Sequence, residues 1–255
     1  MTWQIMGASV QGTSHVRSGL PCQDAFAYQV NGQGVWLAVA DGLGSAPRAE
    51  QGAKLAVTNV LAALQSGHHA HHTVAPSWEH QLAAAFKHTR ECLQQEADAE
   101  NVPLREYGTT LLVVVMERDC FATAHIGDGT IVALLADGSL LTASTPQRGE
   151  YANETTPLTA DHALDSLCIS VHHPVQVQAV ALLTDGLQNL SLNLASGIPY
   201  APFFTPLFDA ITRQPFDAPA MSAQLADFLA SERVCSKTDD DKTLLMAGRV
   251  SVTGE

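Results

Sequence analysis

Thr109–Ser144 reads TTLLVVVMERDCFATAHIGDGTIVALLADGSLLTAS. Four short runs in it, TLLVVVM, CFATAHI, TIVALLA and SLLTAS, are apolar and rich in β-branched residues, and turn signals separate them. Connections this short suit hairpins rather than crossovers, so the stretch predicts an antiparallel meander. Working outward, WQIMGAS near the start reads as a strand, and DAFAYQV and GVWLAVA read as two more, split by the turn Asn31-Gly32-Gln33-Gly34. After GLGSAP an Ala/Leu-rich segment keeps helical spacing to about Gln65, and a second helix is expected from Trp78 to about Glu100, with Pro103 beyond its end. Residues 146–165 are polar and irregular. Strands resume at LCISVHH and VQVQAVALLTD, helices are expected near 186–195, 203–213 and 219–231, and TLLMAGRVSV is the last strand. The order β-rich, two helices, β-rich, helices, β predicts an α+β fold of antiparallel sheets with helices packed outside.

The chain has 255 residues and no Pro/Gly/Ser-rich linker, so a single domain over 1–255 is expected. An apolar fraction of 46% is that of an ordinary globule, and a chain this long buries a sizeable core without disulfides. The net charge of −13 argues against nucleic acid, whose phosphates attract basic surfaces. It also means that any phosphate chemistry needs a bound cation to reverse the local field. The five cysteines, Cys22, Cys92, Cys120, Cys168 and Cys235, are odd in number and lack CxxC spacing, which reads as reduced thiols. The N-terminus lacks a signal-peptide pattern and the longest apolar runs are too short to span a bilayer, so the expectation is a cytoplasmic protein with no membrane partner.

Acidic residues at strand ends carry the chemistry. Asp24, Asp41, Asp185 and Asp241 each stand where a predicted strand begins or ends. A carboxylate there is costly unless a cation meets it, and several of them together form an all-oxygen site for hard divalent metals. Asp-Gly occurs at 41, 128, 137 and 185. Asp137-Gly138 joins two strands directly and reads as a hairpin turn. Asp128-Gly129 reads equally as a turn and as a ligand. Asp41 and Asp185 end apolar strands and precede helical segments, a junction where sites are often built, although a helix N-cap also favours Asp.

The pieces GTSH and CQDA, ADGLGS, YGTT, HIGDG, LLTDG and DDDKT, in this order, resemble the metal-dependent Ser/Thr protein phosphatases of the 2C type, and most of all their short bacterial members. The likeness covers nearly the whole chain, and its specificity lies in the order of the pieces rather than in any one. The resemblance implies a four-layer α/β/β/α sandwich of two antiparallel sheets flanked by helices. It implies two Mn²⁺ or Mg²⁺ ions, with Asp41 bridging them, Gly42 offering its backbone carbonyl, and Asp185 and Asp241 as further ligands. Asp24 would bind metal or hold the attacking water, and Asp128 matches a residue linked to a weaker third ion. The implied reaction is hydrolysis of phosphoserine and phosphothreonine on proteins by a metal-bridging hydroxide, with phosphorylated proteins and a cognate Ser/Thr kinase as partners.

Three departures from the family pattern stand out. Gln23 replaces a frequent Glu beside Asp24. The nearest basic residue to the first motif is Arg17, two positions further out than the phosphate-gripping Arg of eukaryotic relatives; it reads equally as that group and as a surface charge. Leu43 stands where eukaryotic relatives have a proton-donating His. These departures motivate the alternative of a weakly active or inactive phosphatase-like binding or regulatory module. His15 reads equally as structural and as phosphate-proximal, and Glu150 and Tyr151, in the region of the family's variable flap, are expected to touch substrate. The His68–His72 run reads as a solvated loop, His125 as a packed strand residue, Cys120 and Cys168 as buried and inert, and Asp239 and Asp240 as solvated or capping the strand.

Overall fold

Strand-forming runs and helix-period runs alternate along the chain, and every strand but the short pair β10–β11 finds its place in one of two five-stranded antiparallel sheets. The computed structural model describes residues 2–32, 34–69, 77–117, 119–144, 155–172 and 176–250. In chain order the elements are β1 (Thr2–Val10), α1 (Thr13–Ser18), β2 (Ala25–Val30), β3 (Gly34–Ala40), α2 (Ala49–His69), α3 (Trp78–Ala99), β4 (Leu111–Glu117), β5 (Phe121–Ile126), β6 (Thr130–Leu135), β7 (Leu140–Thr142), β8 (Cys168–His172) and β9 (Val177–Leu183). There follow α4 (Gln188–Ser191), β10 (Leu192–Asn193), β11 (Ile198–Pro199), α5 (Ala201–Thr212), α6 (Ala218–Ala230), α7 (Glu232–Cys235) and β12 (Lys242–Val250). Short 3₁₀ turns lie at Leu104–Tyr107, Ala163–Ser166 and Asp185–Leu187. The chain divides into two compact units.

The first unit comprises Met1–Cys22, Thr130–Thr145 and Val175–Glu255. Its sheet has the order β1-β12-β9-β6-β7, every pairing antiparallel. The earliest and latest strands pair along their whole length, from Thr2↔Val250 to Val10↔Lys242. Helices α5 and α6 pack on this sheet, and Phe203, Phe204, Phe208, Leu225 and Leu229 meet Met6, Ala181, Leu183 and Met246 in its core. Asp217 caps α6 by accepting from Ala220 N at 3.2 Å, which satisfies one of the helix's open N–H groups.

The second unit comprises Gln23–Gly129 and Pro146–Pro174. Its sheet has the order β2-β3-β4-β5-β8. The β2–β3 hairpin closes as read from the sequence: Asn31 accepts from Gly34 N through its side chain at 2.8 Å. Strand β3 is buried at all seven positions, which explains its unbroken apolar run. Helices α2 and α3 lay Val57, Val60, Leu64, Leu82 and Phe86 over Trp36, Val113 and Ala124, and Trp36 meets Trp78 edge to face at 6.0 Å.

The predicted meander breaks at Gly127-Asp128-Gly129. Strands β4 and β5 join the second unit's sheet, whereas β6 and β7 join the first unit's. Gly127 has φ +111, and a Cβ there would lie 2.5 Å from Thr110 Cγ2, so only glycine makes this turn. Asp137-Gly138 is the expected hairpin turn, with φ +85 at Gly138 and the Asp137 carboxylate accepting from Ser139 N at 2.9 Å. The helix expected near 186–195 is instead a 3₁₀ turn, the four-residue α4 and the start of a two-residue ladder. Helix α1 lies in the stretch read only as polar; it buries no residue and so gives no apolar stripe to read.

Candidate active site

In the second unit the acidic residues collect at one sheet edge. Because β2 and β3 are antiparallel with Ala25 opposite Ala40, Asp24 before β2 and Asp41 after β3 fall side by side at the same end. The ladder continues past them, since Gly42 N donates to Gln23 O at 3.2 Å. On the other side Asp41 N donates to Thr110 Oγ1 at 3.1 Å, Thr110 N donates to Asp41 O at 2.8 Å, and Thr109 Oγ1 donates to the same carbonyl at 3.1 Å. The Asp41 backbone is therefore fixed from both flanks. Gly42 has no room for a side chain: a Cβ would lie 2.7 Å from both Ala49 O and Gln23 O. Asp24 is buried, and Asp41 and Asp128 are half-buried. Asp128 follows β5 at the same edge and accepts from Thr155 Oγ1.

In the first unit the edge holds Asp185 and Asp241. Leu183 pairs with Leu244, and Thr184 N donates to Thr243 O at 3.2 Å while Thr184 Oγ1 accepts from Thr243 N at 3.0 Å. Asp185, after β9, thus sits beside the start of β12, which Asp241 precedes. The backbones are in close contact here, because a Cβ on Gly186 would stand 1.9 Å from Asp241 O. The Asp241 carboxylate is itself held: Oδ1 accepts from Gly12 N at 2.6 Å, and Oδ2 lies 2.9 Å from His15 Nδ1. Lys242 is fully buried, and its ammonium donates to Asp240 O at 3.1 Å and Gln11 O at 3.5 Å. That cation ties the turn before β12 to the turn after β1 and keeps the Asp241 clamp in place.

The remaining sequence candidates fall as follows. His15 contacts Asp241, which gives it a structural partner. Arg17 is exposed and pairs with exposed Asp239 at 3.0 Å, a surface ion pair. Asp240 caps locally, accepting from Asp241 N at 2.8 Å. His125 is buried in β5. Cys120 is buried, and desolvation pushes its thiol up to about 11. Cys168, expected to be buried, is exposed on the outermost strand β8. His68 and His69, read as loop, are the last residues of helix α2, and Glu150, Tyr151, His71 and His72 lie outside the described residues. Sequence reading missed Gly12 and Lys242 as supports of Asp241, and Thr109 and Thr110 as supports of Asp41. The YGTT piece was the available signal for the threonines; nothing local marks Gly12, whose partner lies 229 positions away.

Among the described residues, neither unit groups three His, Cys, Asp or Glu side chains round one point. What each edge offers is carboxylates with backbone carbonyls close by. That donor set fits Mg²⁺ or Mn²⁺, which bind through one or two carboxylates and keep several waters. It does not fit zinc, which takes closed sites of His and Cys. The crowded backbone at Gly42 leaves its surroundings to main-chain atoms, in keeping with a carbonyl ligand.

Two sheets with acidic edges and outer helices define a class, and comparison with known proteins gives its name. The model of the family described as protein phosphatase 2C matches residues 11–230, and the chain belongs to that family. It is similar to Serine/threonine-protein phosphatase 3 of Escherichia coli (strain K12), with 37% identity over 260 residues covering 97% of this chain and 98% of that one. Its fold is shared with the Mycobacterium tuberculosis serine/threonine phosphatase PstP/Ppp at a TM-score of 0.67 and 18% identity, over 98% of this chain and 100% of the other. RsbX in complex with magnesium matches at a TM-score of 0.57 and 13% identity, over 96% of this chain and 94% of the other. No helix among the described residues is long and apolar enough to cross a membrane.

Proposed function

We propose that this chain is a metal-dependent Ser/Thr protein phosphatase that hydrolyses phosphoserine and phosphothreonine on proteins. The observation that carries the reading is the 37% identity, over nearly the whole of both chains, to a Ser/Thr protein phosphatase. All the motif aspartates are present at strand ends, so an inactive binding module is not favoured.

In this reading Asp24, Asp41, Asp185 and Asp241 carry divalent metal, Gly42 adds a carbonyl, and Asp128 serves a weaker third ion. The ions are Mn²⁺ or Mg²⁺, which when bound lower the pKa of water and offset charge on the phosphoryl oxygens. The protein's own part is placement. The ladder round Asp41 and the clamp on Asp241 hold carboxylates in position before metal arrives, so little ordering remains at binding. Gln23 removes one negative charge from the pattern of many relatives, and weaker binding of one ion is expected. With Leu43 in place of a proton donor, the leaving group takes its proton from water or another residue. Phosphoprotein substrates require a Ser/Thr kinase to supply them, and the odd cysteine count without CxxC spacing supports a reducing, cytoplasmic setting.

The test is turnover of para-nitrophenyl phosphate and of a phosphothreonine peptide with Mn²⁺, followed by chelation. Turnover that stops with chelator and returns with Mn²⁺ supports the proposal. Full activity in Asp41→Asn or Asp185→Asn removes the assigned roles, and metal binding by calorimetry without any turnover revives the inactive module.

A further inference from the structure

Within the second unit a cavity of about 530 Å³ opens beside the Asp41 loop. Leu43, Ser45, Pro47, Arg105, Pro157 and Thr159 are among its lining residues. It is joined to the Asp41 ladder by hydrogen bonds: Leu43 N donates to Gly108 O at 2.9 Å, Gly42 bridges to Thr109, and Leu158 N donates to Thr109 O at 2.7 Å. Leu43 is two residues from Asp41, a span of at most ~7 Å of backbone. A peptide residue one or two positions from a phosphoserine covers a similar distance.

The pocket's polar groups point to an anion. Arg105 is exposed and makes no ion pair among the described residues, whereas its neighbour Glu106 is already taken by Arg48 at 3.0 Å. Arg48 is also engaged by Glu100 at 2.9 Å. The uncommitted charge at this pocket is therefore positive, on a chain whose net charge is −13. Thr159 is 5% exposed, and its hydroxyl has no hydrogen-bond partner among the described residues. A buried hydroxyl without a partner is costly, and a ligand oxygen would satisfy it. Ser45 adds an exposed hydroxyl, and Leu43, Pro47 and Pro157 give apolar walls for the stem of a side chain.

We infer that this pocket is a substrate subsite for an acidic side chain, Asp, Glu or a second phosphorylated residue, flanking the phosphoserine or phosphothreonine to be hydrolysed. Arg105 pairs with the acid, and the Thr159 and Ser45 hydroxyls hydrogen-bond to its oxygens. The inference rests on the phosphatase reading above. It runs against bulk electrostatics, since a chain of this net charge on its own favours basic peptides.

Two phosphoserine peptides test it, one with aspartates and one with lysines at the two positions on either side. The wild type is expected to favour the aspartate peptide in kcat/KM. In Arg105→Ala that preference falls by about fivefold, the scale of one solvent-exposed ion pair. Arg105→Glu reverses it, and Thr159→Val reduces it more weakly. Fluorescence anisotropy of the same peptides on metal-free protein is expected to follow the same order, which reads the pocket without chemistry. A wild type that prefers the lysine peptide, or a ratio unmoved by Arg105→Ala and Arg105→Glu, overturns the subsite. If nothing is hydrolysed, para-nitrophenyl phosphate included, the phosphatase reading falls; aspartate-peptide binding that is lost in Arg105→Glu would still uphold the pocket.

Discussion

The two acidic edges hold their carboxylates by different means. At Asp41 it is the main chain that is fixed, by Gln23 and Ala49 packed against Gly42 on one side and by Thr109 and Thr110 on the other. At Asp241 it is the carboxylate that is fixed, between the Gly12 amide and the His15 ring, with buried Lys242 behind them. The first device needs only a β-ladder and a glycine, and its parts lie close in sequence to strands that were easy to read. The second depends on groups more than 220 residues apart. Fixing a backbone sets where a side chain starts, while clamping a carboxylate sets the direction of its oxygens directly. Loss of a support should therefore act differently at the two edges.

The largest effect is expected from the carboxylates themselves. Asp41→Asn and Asp185→Asn should each lower phosphopeptide turnover by roughly a thousandfold, since several kcal/mol of charge stabilisation disappears with the metal. Thermal unfolding should barely change; a large fall in melting temperature would mean that these groups support the fold rather than the chemistry. Next come the glycines. Gly186→Ala should destabilise by about 3 kcal/mol and Gly42→Ala by about 2, because each added methyl meets fixed backbone. Gly44→Ala, whose Cβ would come no nearer than 3.9 Å to any atom outside its chain neighbours, should be silent. Equal melting temperatures for all three would remove the claim of crowding.

His15→Ala sharpens the contrast between clamp and ladder. Mn²⁺ affinity by calorimetry should weaken by roughly tenfold, as for other groups that orient a metal ligand, with the fold intact. An unchanged affinity would make His15 a bystander.

The smallest effect at neutral pH concerns Cys120. Its thiol is raised from 9.0 to about 11 by burial, so the folded state keeps a proton that the unfolded chain releases. Its contribution is complete below pH 9 and is lost as pH rises from about 9 to 11, an amount of roughly 2 kcal/mol. Cys120→Ala should flatten that part of the alkaline stability curve. Exposed Cys168 should react with a thiol reagent in the native state, and Cys120 only on unfolding.

How much of this was legible follows from where the information resides. Strands β3 and β4, the Asn31–Gly34 hairpin and helices α2 and α3 carry local signals, and they appear where the sequence placed them. Strand partners do not leave local signals. TIVALLA looks the same whether it pairs with the strand before it or with β9, so the break at Gly127 was invisible even though the glycine was not. Helix α1 is tied down by Ser14 N on Asp239 O at 2.9 Å rather than by an apolar face, and periodicity therefore misses it. Cys168 was misplaced because an apolar run shows that a segment is a strand without showing whether it lies at an edge. In the site, acidic residues at strand ends were readable. Their supports were not: YGTT marks Thr109 and Thr110 without saying what they hold, and His15 reads equally as structural and as phosphate-proximal.

The order of strands also bears on how the chain is made. The second unit has every strand of its sheet once β8 is complete at His172, so a ribosome that has passed that point has supplied all it requires. The first unit must wait: among the described residues β1 pairs with β12 alone, and β12 begins at Lys242. Until Lys242–Val250 is made, the strand Thr2–Val10 has no neighbour to bond, and its amides and carbonyls stay open to water or to a holding chaperone. Assembly of this enzyme is thus expected to be vectorial, with the Asp41 half first and the Asp241 half waiting for β12.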